Sequence, residues 1–203
     1  MTGFWRGAEP LLLASTSLTR RLILERAGLA PAVADPGIDE RAIQRGLGPA
    51  TPDAVAATLA SAKALAVSSR HEGRVVVGAD QILVCDGTIA TKAPDLETAA
   101  ATLLRLAGRT HRLVSAVTVA VDGKIVGQAT SAARMTMRGL SAGEIDAYLS
   151  LAGASALRSV GCYEIEGAGI HLFDTIEGEY STILGLPMLP LLDILREREL
   201  VAP

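Results

Sequence analysis

The sequence predicts an α/β fold in a single domain, which could have two lobes and in which helices flank a mixed sheet. Helical and strand patterns alternate along most of the 203 residues, as is typical of strand–helix units. Asp-Gly pairs at 86–87 and 122–123 separate runs with strand character and indicate antiparallel hairpins. Hydrophobic residues make up 49% and charged residues 20% of the chain, which is a globular balance.

The first part of the chain alternates apolar runs with capped helices. Residues 10–14 form a short apolar run that suits a buried strand. Ser17 is a good N-cap for the helix that follows, and Gly28 ends that helix. Residues 32–48 contain proline, glycine and charges, so they predict a weak strand followed by a loop. A second helix over residues 51–68 opens with a threonine N-cap and a proline at its first position.

The clearest buried strand is the β-branched run 74–79, which places Asp80 at its carboxyl end. Farther along, Ser141 and Glu144 have the spacing of a capping box. In chain order, the elements expected after residue 80 are a hairpin of 82–85 with 88–90, a helix over 95–108, a hairpin of 113–121 with 124–137, a helix from 141 through 148, a strand region near 161–173 and a last helix over 187–200.

Composition and charge exclude several classes of function. A formal net charge of -3 argues against long nucleic acid as the main partner, because that binding needs a broad basic face. The two cysteines, Cys85 and Cys162, indicate thiols rather than a disulfide framework. No apolar run reaches the roughly 18 residues of a membrane-spanning helix, and the N-terminus lacks a secretory signal pattern. We therefore expect a cytoplasmic chain without a membrane partner.

The junction between the first strand and the first helix has the composition of an anion-binding site. Residues 15–21 combine hydroxyl groups with Arg20 and Arg21 at a helix N-terminus, where free N–H groups bind anions. Arginine in a first turn opposes the helix dipole unless an anion offsets it. The alternative is that Ser17 only caps the helix and both arginines are solvated.

Three further candidates carry charges that suit phosphate chemistry. Asp80, within residues 78–81, could hold a divalent cation or orient water, or it could simply begin the following hairpin. Lys63 and Lys92 would neutralise phosphates if they faced one crevice, although single lysines are usually solvated. The glycine-rich stretch 161–169 could approach a flat base, but a strand with a bulge is the commoner reading.

Two other enzyme classes have no support in the sequence. His71, His111 and His171 are far apart and lack the spacing of a zinc site. No Gly-x-Ser-x-Gly motif is present, so a serine hydrolase is not indicated.

Several motifs, in order and with their spacing, resemble the Maf family of nucleoside triphosphate pyrophosphatases over about residues 10–196. The resemblance implies an elongated two-lobed fold with a central cleft, related to that of inosine triphosphate pyrophosphatases. It also implies a divalent metal, Mg²⁺ or Mn²⁺, and a chain that could form a homodimer. The motifs are residues 13–17 with Arg20 and Arg21, residues 38–40, residues 59–64, residues 78–81, Lys92, residues 140–148 and residues 185–187.

The resemblance also implies roles for individual residues. Asp80 matches the family's proton acceptor, and Glu40 matches an acidic position that would hold the metal together with Asp80. Two departures concern loop shape, since Leu18 replaces a usual proline and residues 91–94 replace a usual Gly-Lys-Pro. The positions that match the family's triphosphate-binding residues are Ser15, Arg20, Lys63 and Lys92.

Gln81 and Glu166 resemble the family's subgroup that acts on 7-methyl-GTP. Members acting on dTTP and UTP typically have threonine and glutamine at these two positions. A carboxylate accepts hydrogen bonds from the N1–H and 2-amino donors of guanine, whereas a pyrimidine edge suits an amide better. The resemblance implies a role in clearing modified nucleotides before they are incorporated into RNA or DNA. The alternatives are a pyrophosphatase for dTTP and UTP, or a regulator of cell division that binds nucleotide without turnover.

Overall fold

The computed structural model describes residues 4–202, and the part of the chain that it describes contains seven strands and seven α-helices. Two 3-10 helices, Gly153–Arg158 and Ala168–Leu172, lie in its last third. The strands are β1 (Leu12–Ala14), β2 (Ala32–Ala34), β3 (Val76–Cys85), β4 (Thr88–Ala90), β5 (Thr110–Val121), β6 (Lys124–Met137) and β7 (Phe173–Glu177). The helices are α1 (Leu18–Arg26), α2 (Glu40–Gly46), α3 (Pro52–Ser68), α4 (Leu96–Leu106), α5 (Ala142–Ala152), α6 (Tyr180–Ile183) and α7 (Met188–Arg196).

The strands form one sheet in the order β2-β1-β3-β5-β6-β7, and β4 pairs with β3. β1 is parallel to both β2 and β3, so that Leu13 lies opposite Val33 and Val77. β4 and β7 pair antiparallel with β3 and β6, respectively. The sheet is therefore mixed, and the predicted α/β class with flanking helices is confirmed.

The chain divides into two compact units. The first comprises the described residues through Gln81, together with Val114–Ala132 and the residues from Glu179 onward, and its main core joins β1, β3, β5 and α7. The second comprises Ile82–Leu113 and Ala133–Gly178, and it buries its own apolar side chains, such as Leu103 and Ile145. The prediction of a single domain stays a prediction.

Side chains cap the helices at the predicted positions. The Ser17 hydroxyl accepts from the Arg20 N–H of α1, and Asp95 accepts from the Thr98 N–H of α4. α3 begins after a threonine that caps it, with proline at its start. Both hydrogen bonds of the predicted Ser141 capping box are present at α5. These caps satisfy N–H groups that the helices themselves leave unpaired.

Residues 40–46 form helix α2, whereas the sequence indicated a loop. The Asp39 carboxylate accepts from the Ala42 N–H at 2.9 Å and caps this helix. None of its residues is buried, so it has no apolar stripe with a helical period. The proline, glycine and charges of residues 32–48 therefore led to the incorrect prediction of a loop here.

The predicted strand near 161–173 is also wrong, because a strand begins only at Phe173. Cys162 has a φ of 60°, a left-handed conformation that interrupts an extended chain. A side chain at Gly169 would lie 2.5 Å from the Glu164 carbonyl oxygen, since the backbone folds back on itself there. The glycines of this stretch thus serve a compact loop and a 3-10 helix.

Both cysteines are free thiols, with Cys162 buried and Cys85 half-buried. Within residues 4–202, none of the helices combines the length and the apolar character needed to cross a bilayer.

An aromatic cluster in the second unit contains the buried side chains of His111 and Tyr163 and the half-buried side chain of Phe173. The His111 Nε2 and the Tyr163 hydroxyl are 2.6 Å apart, and Phe173 packs edge-on against Tyr163. The His111 Nδ1 is buried and has no hydrogen-bond partner. Burial lowers the pKa of His111 to about 4, because the desolvated imidazolium is disfavoured.

We predict that the protein loses stability as the pH falls from 6.5, the ordinary pKa of histidine, to about 4. In this window the unfolded chain binds a proton at His111 that the folded chain does not, so acid favours unfolding. The full loss is about 3 kcal/mol at 1.36 kcal/mol per pKa unit. The midpoint of urea unfolding, measured against pH, reports it.

His111→Gln keeps a hydrogen-bonding group beside Tyr163 but cannot titrate, so its midpoint should fall less over the same window. His171 is exposed, and His171→Gln serves as the matched control with the wild-type slope. If the urea midpoint falls equally with pH in wild type and in His111→Gln, the prediction is contradicted.

Candidate active site

The centre of the candidate site is a buried ammonium group held between two carboxylates in the first unit. Lys63 on α3 donates to Asp80 Oδ1 at 2.6 Å and to Glu40 Oε1 at 2.8 Å. Lys63 is 5% exposed and Asp80 is 6% exposed, whereas the Glu40 side chain is half exposed. Three of the predicted site residues therefore make one ion cluster.

A glycine on β3 brings α3 close enough to form this cluster. A Cβ atom at Gly78 would lie 2.6 Å from the Ala64 backbone nitrogen and in even closer contact with the Ala60 carbonyl oxygen. No side chain fits in that space, so helix and strand pack backbone to backbone. Asp80 and Lys63 then lie on adjoining elements at hydrogen-bond distance.

Asp80 lies in the middle of β3, which continues to Cys85, and not at the carboxyl end of a strand as predicted. The parallel neighbour β1 ends at Ala14, opposite Gly78. Asp80 is thus two residues past the end of the parallel pairing, although β3 itself continues into the hairpin with β4. The two strands predicted over 74–79 and 82–85 are therefore one strand, β3, which passes from parallel to antiparallel pairing.

Arg20 on α1 is held by two groups of the same unit. Its Nε donates to the Gly185 carbonyl oxygen at 2.8 Å, and its Nη1 is 3.5 Å from the Ser15 hydroxyl. The Ser15 hydroxyl also accepts from the Ser17 N–H at 3.2 Å. The predicted anion-binding junction therefore has an oriented guanidinium and an oriented hydroxyl.

Gln81 is anchored through its amide nitrogen, which donates to the Ser115 hydroxyl and to the carbonyl oxygens of Thr182 and Ile183 at 2.9–3.1 Å. A Cβ atom at Gly185 would lie 3.5 Å from both Gln81 Oε1 and Arg20 Nη2. The amide oxygen and the guanidinium therefore both lie beside Gly185.

Burial dominates the electrostatics of the cluster. It raises the pKa of Asp80 above that of an ordinary carboxyl group, against the opposing charges of Lys63 and Arg20 and together with the like charge of Glu40. Burial also lowers the pKa of the Arg20 guanidinium, and Asp80 and Glu40 oppose that shift. The site thus holds a carboxylate with raised proton affinity among cations suited to phosphate oxygens.

The remaining two predicted site residues belong to the second unit and are described there by themselves. Lys92 is exposed in the loop between β4 and α4. Glu166 is exposed in the turn that precedes the 3-10 helix Ala168–Leu172. Their predicted contacts with phosphate and base stay predictions.

Sequence reasoning recognised residues 185–187 as a motif but missed the role of the segment 179–189, whose carbonyl groups hold Arg20 and Gln81. The carboxylate of Glu179 accepts hydrogen bonds within this segment. A carboxylate beside Ser181 and Thr182, just ahead of the recognised Gly185, was the available signal.

Asp80 and Glu40 are the residues that could hold a divalent metal. Among residues 4–202, no group of three or more histidine, cysteine, aspartate or glutamate side chains has the arrangement of a metal site. Mg²⁺ is commonly bound by one or two carboxylates with substrate phosphates completing its ligands. Two carboxylates that meet at one ammonium fit that mode of binding, in which the nucleotide supplies the other oxygens.

The fold and this cluster define an α/β protein with a buried acidic and basic centre, and comparison with known proteins identifies its family. The sequence model described as "Maf-like protein" matches residues 10–198, and the chain belongs to that family. A "Nucleoside triphosphate pyrophosphatase" of Nitrobacter winogradskyi is 51% identical over 198 residues, covering 98% of each chain.

Two further relatives are similar over nearly their whole length. A "Nucleoside triphosphate pyrophosphatase" of Bradyrhizobium diazoefficiens is 49% identical over 200 residues, which cover 98% of this chain and 99% of the relative. A "7-methyl-GTP pyrophosphatase" of Brucella abortus is 47% identical over 193 residues, which cover 94% of this chain and 97% of the relative.

Removal of the buried ammonium should destabilise the fold in a pH-dependent way. Lys63→Met leaves Asp80 buried without its cation, which costs about 3 kcal/mol at neutral pH. Without Lys63 the pKa of Asp80 rises further, so the folded state binds a proton that the unfolded state releases above the ordinary carboxyl pKa of 3.8. The variant should therefore lose stability more steeply than wild type as the pH rises above that value.

Urea unfolding at a series of pH values measures both effects. Lys63→Met combined with Asp80→Asn removes both charges and is the matched control, which should recover part of the neutral-pH stability. An equal loss in the single and double variants would show that the uncompensated Asp80 charge is not the cause.

Proposed function

We propose that this protein hydrolyses a nucleoside triphosphate to the monophosphate and pyrophosphate at the cluster around Lys63, and that 7-methyl-GTP is a preferred substrate. The class of enzyme follows from the full-length relatives, and the chain is a nucleoside triphosphate pyrophosphatase, a hydrolase of the α–β phosphoanhydride bond. The observation that carries the choice of site is the buried Lys63 ammonium between Asp80 and Glu40.

Asp80 is the proposed base. Water attacks the α phosphorus in line, a P–O bond forms, and the bond from that phosphorus to the bridging oxygen breaks. The proton of water passes to Asp80, and pyrophosphate leaves with the electron pair of the broken bond. Burial supports this role because a carboxylate with a raised pKa holds a proton better than an exposed one. Lys63 binds Oδ1, so we assign Oδ2 to the water.

The triphosphate would be bound by cations and a hydroxyl that the structure already orients. Arg20 is positioned by Gly185 and Ser15, and Lys63 is positioned by the two carboxylates. Charge stabilisation by preorganised groups is usually the largest contribution to phosphoryl chemistry. The full proposed set is Ser15, Arg20, Lys63 and Lys92.

We propose Asp80 and Glu40 as the protein ligands of Mg²⁺ or Mn²⁺. When bound, the metal would neutralise charge on the phosphate oxygens. The two carboxylates share one cation, the Lys63 ammonium, in this structure, and this shared contact supports the proposal.

Gln81 and Glu166 support the assignment to 7-methyl-GTP. The amide nitrogen of Gln81 is used by three protein oxygens, so its oxygen is the group left to accept from a ligand. Glu166 adds a carboxylate, which can accept hydrogen bonds but cannot donate them. Acceptors at both positions suit the donor edge of guanine, and one relative carries the name "7-methyl-GTP pyrophosphatase".

Asp80→Asn should abolish turnover and leave nucleotide binding largely intact. The amide keeps the shape of the side chain but cannot take a proton, and general base catalysis contributes about a hundredfold or more. Pyrophosphate release measures turnover, and calorimetry with an α,β-methylene nucleotide measures binding. Asp146→Asn, at an exposed position on α5, is the matched control. Near wild-type turnover in Asp80→Asn would remove Asp80 from its proposed role.

A panel of nucleotides tests the base. We expect kcat/KM for 7-methyl-GTP to exceed that for UTP and dTTP, and Glu166→Gln to erode the ratio by about 1–3 kcal/mol in discrimination, because a guanine donor loses its acceptor. Glu177→Gln, an exposed substitution on β7, should leave the ratio unchanged. UTP or dTTP as the best substrate would overturn the 7-methylguanine assignment alone, and binding without any pyrophosphate release would indicate a regulator instead.

A further inference from the structure

We propose that Glu179 is a positioning residue that fixes the phosphate-binding Arg20 through the segment 179–189, an inference that rests on the proposed function. Glu179 touches none of the reacting groups. Its hydrogen bonds stabilise the backbone segment whose carbonyl oxygens hold Arg20 and Gln81.

The segment needs contacts from outside α6 to hold its conformation, because α6, the helix that lies wholly within it, is very short. α6 is a single turn of four residues, Tyr180–Ile183, and one turn of helix is unstable on its own because nucleation is costly. Gly178 and Gly185 flank it with φ values of 134° and 92°, both of which favour glycine. Local propensity therefore does not determine the conformation of this segment.

The carboxylate of Glu179 stabilises the segment, because both of its oxygens accept hydrogen bonds from it. Oε1 accepts from the Ser181 hydroxyl and, at 3.3 Å, from the Leu189 N–H, while Oε2 accepts from the Thr182 hydroxyl at 3.0 Å. The Ser181 hydroxyl in turn accepts from the Met188 N–H at 2.9 Å. One carboxylate thus links α6 to the start of α7.

The same contacts cap α7, which has no side-chain cap at its own N-cap residue, Pro187. Met188 and Leu189 are its first two residues, and their N–H groups donate to Ser181 and Glu179. A carboxylate at a helix N-terminus is also favoured by the helix dipole. The position of α6 is therefore fixed relative to α7, whose apolar side chains belong to the first unit's core.

The segment 179–189 holds two of the site residues, Arg20 and Gln81. The Thr182 carbonyl oxygen accepts from Gln81 and from the Ser115 hydroxyl, and the Ile183 carbonyl oxygen accepts from Gln81. The Gly185 carbonyl oxygen accepts from Arg20 Nε. A shift of this turn would rotate the Arg20 guanidinium away from the phosphates but would not move the contact between Lys63 and Asp80.

The test is steady-state kinetics of the full-length chain with the best substrate of the panel. Glu179→Ala should raise KM by about tenfold or more, because a misplacement of about 1 Å in a binding group can cost a hundredfold. The fall in kcat should be smaller, since Asp80 and Lys63 stay in place. Glu179→Gln retains one carbonyl acceptor and should recover part of the loss. Glu177→Ala, an exposed change two residues earlier, is the matched control and should behave as wild type.

Combination with Arg20→Ala separates positioning from general destabilisation. If Glu179 acts through Arg20, adding Glu179→Ala to Arg20→Ala should raise KM little further, whereas independent effects would multiply. Wild-type KM in Glu179→Ala, or multiplicative effects in the double variant, would overturn the inference. Unchanged KM in Arg20→Ala, or no pyrophosphate release by the wild type, would instead overturn the proposed function.

Discussion

The candidate site depends on one close approach, that of α3 to β3 at Gly78. Because this residue has no side chain, the backbone of the helix packs directly on the strand. Lys63 and Asp80 then meet at 2.6 Å in a buried environment. Glu40 completes the ion cluster from α2, a helix without buried residues of its own.

Isolated buried charges are costly, so the site is stable only as a set. Lys63 is compensated by two carboxylates, and Arg20 is held by a carbonyl oxygen and a hydroxyl. Such a set would be preorganised for the anionic ligand proposed above, since its cations are oriented before the ligand arrives and would need little rearrangement. The segment 179–189 belongs to the same arrangement, because it supplies the acceptors that orient Arg20 and Gln81.

Much of the fold was predictable because local signals agreed with the tertiary structure. N-caps at Ser17 and Asp95, and the Asp-Gly hairpins, occur where the sequence indicates them. Two incorrect predictions of secondary structure concern segments without a periodic pattern of apolar residues. α2 has no apolar stripe, and the loop before Phe173 depends on contacts between backbone groups, which have no residue pattern. Within the site, charge type pointed to Lys63 and Asp80. For Glu179 the sequence shows only a carboxylate near two hydroxyl residues, and its role depends on the hydrogen bonds that form in the folded chain.

Gly78 also shows that the chemistry of an ionic centre can be set by a residue that has neither charge nor side chain. The separation of helix and strand at this point determines how deeply the ammonium and the carboxylate are desolvated. A methyl group there would alter no formal charge, yet its effect would be felt as an electrostatic change, through the proton affinity of Asp80. The spacing between the two backbones at Gly78 therefore influences the proton affinity of Asp80.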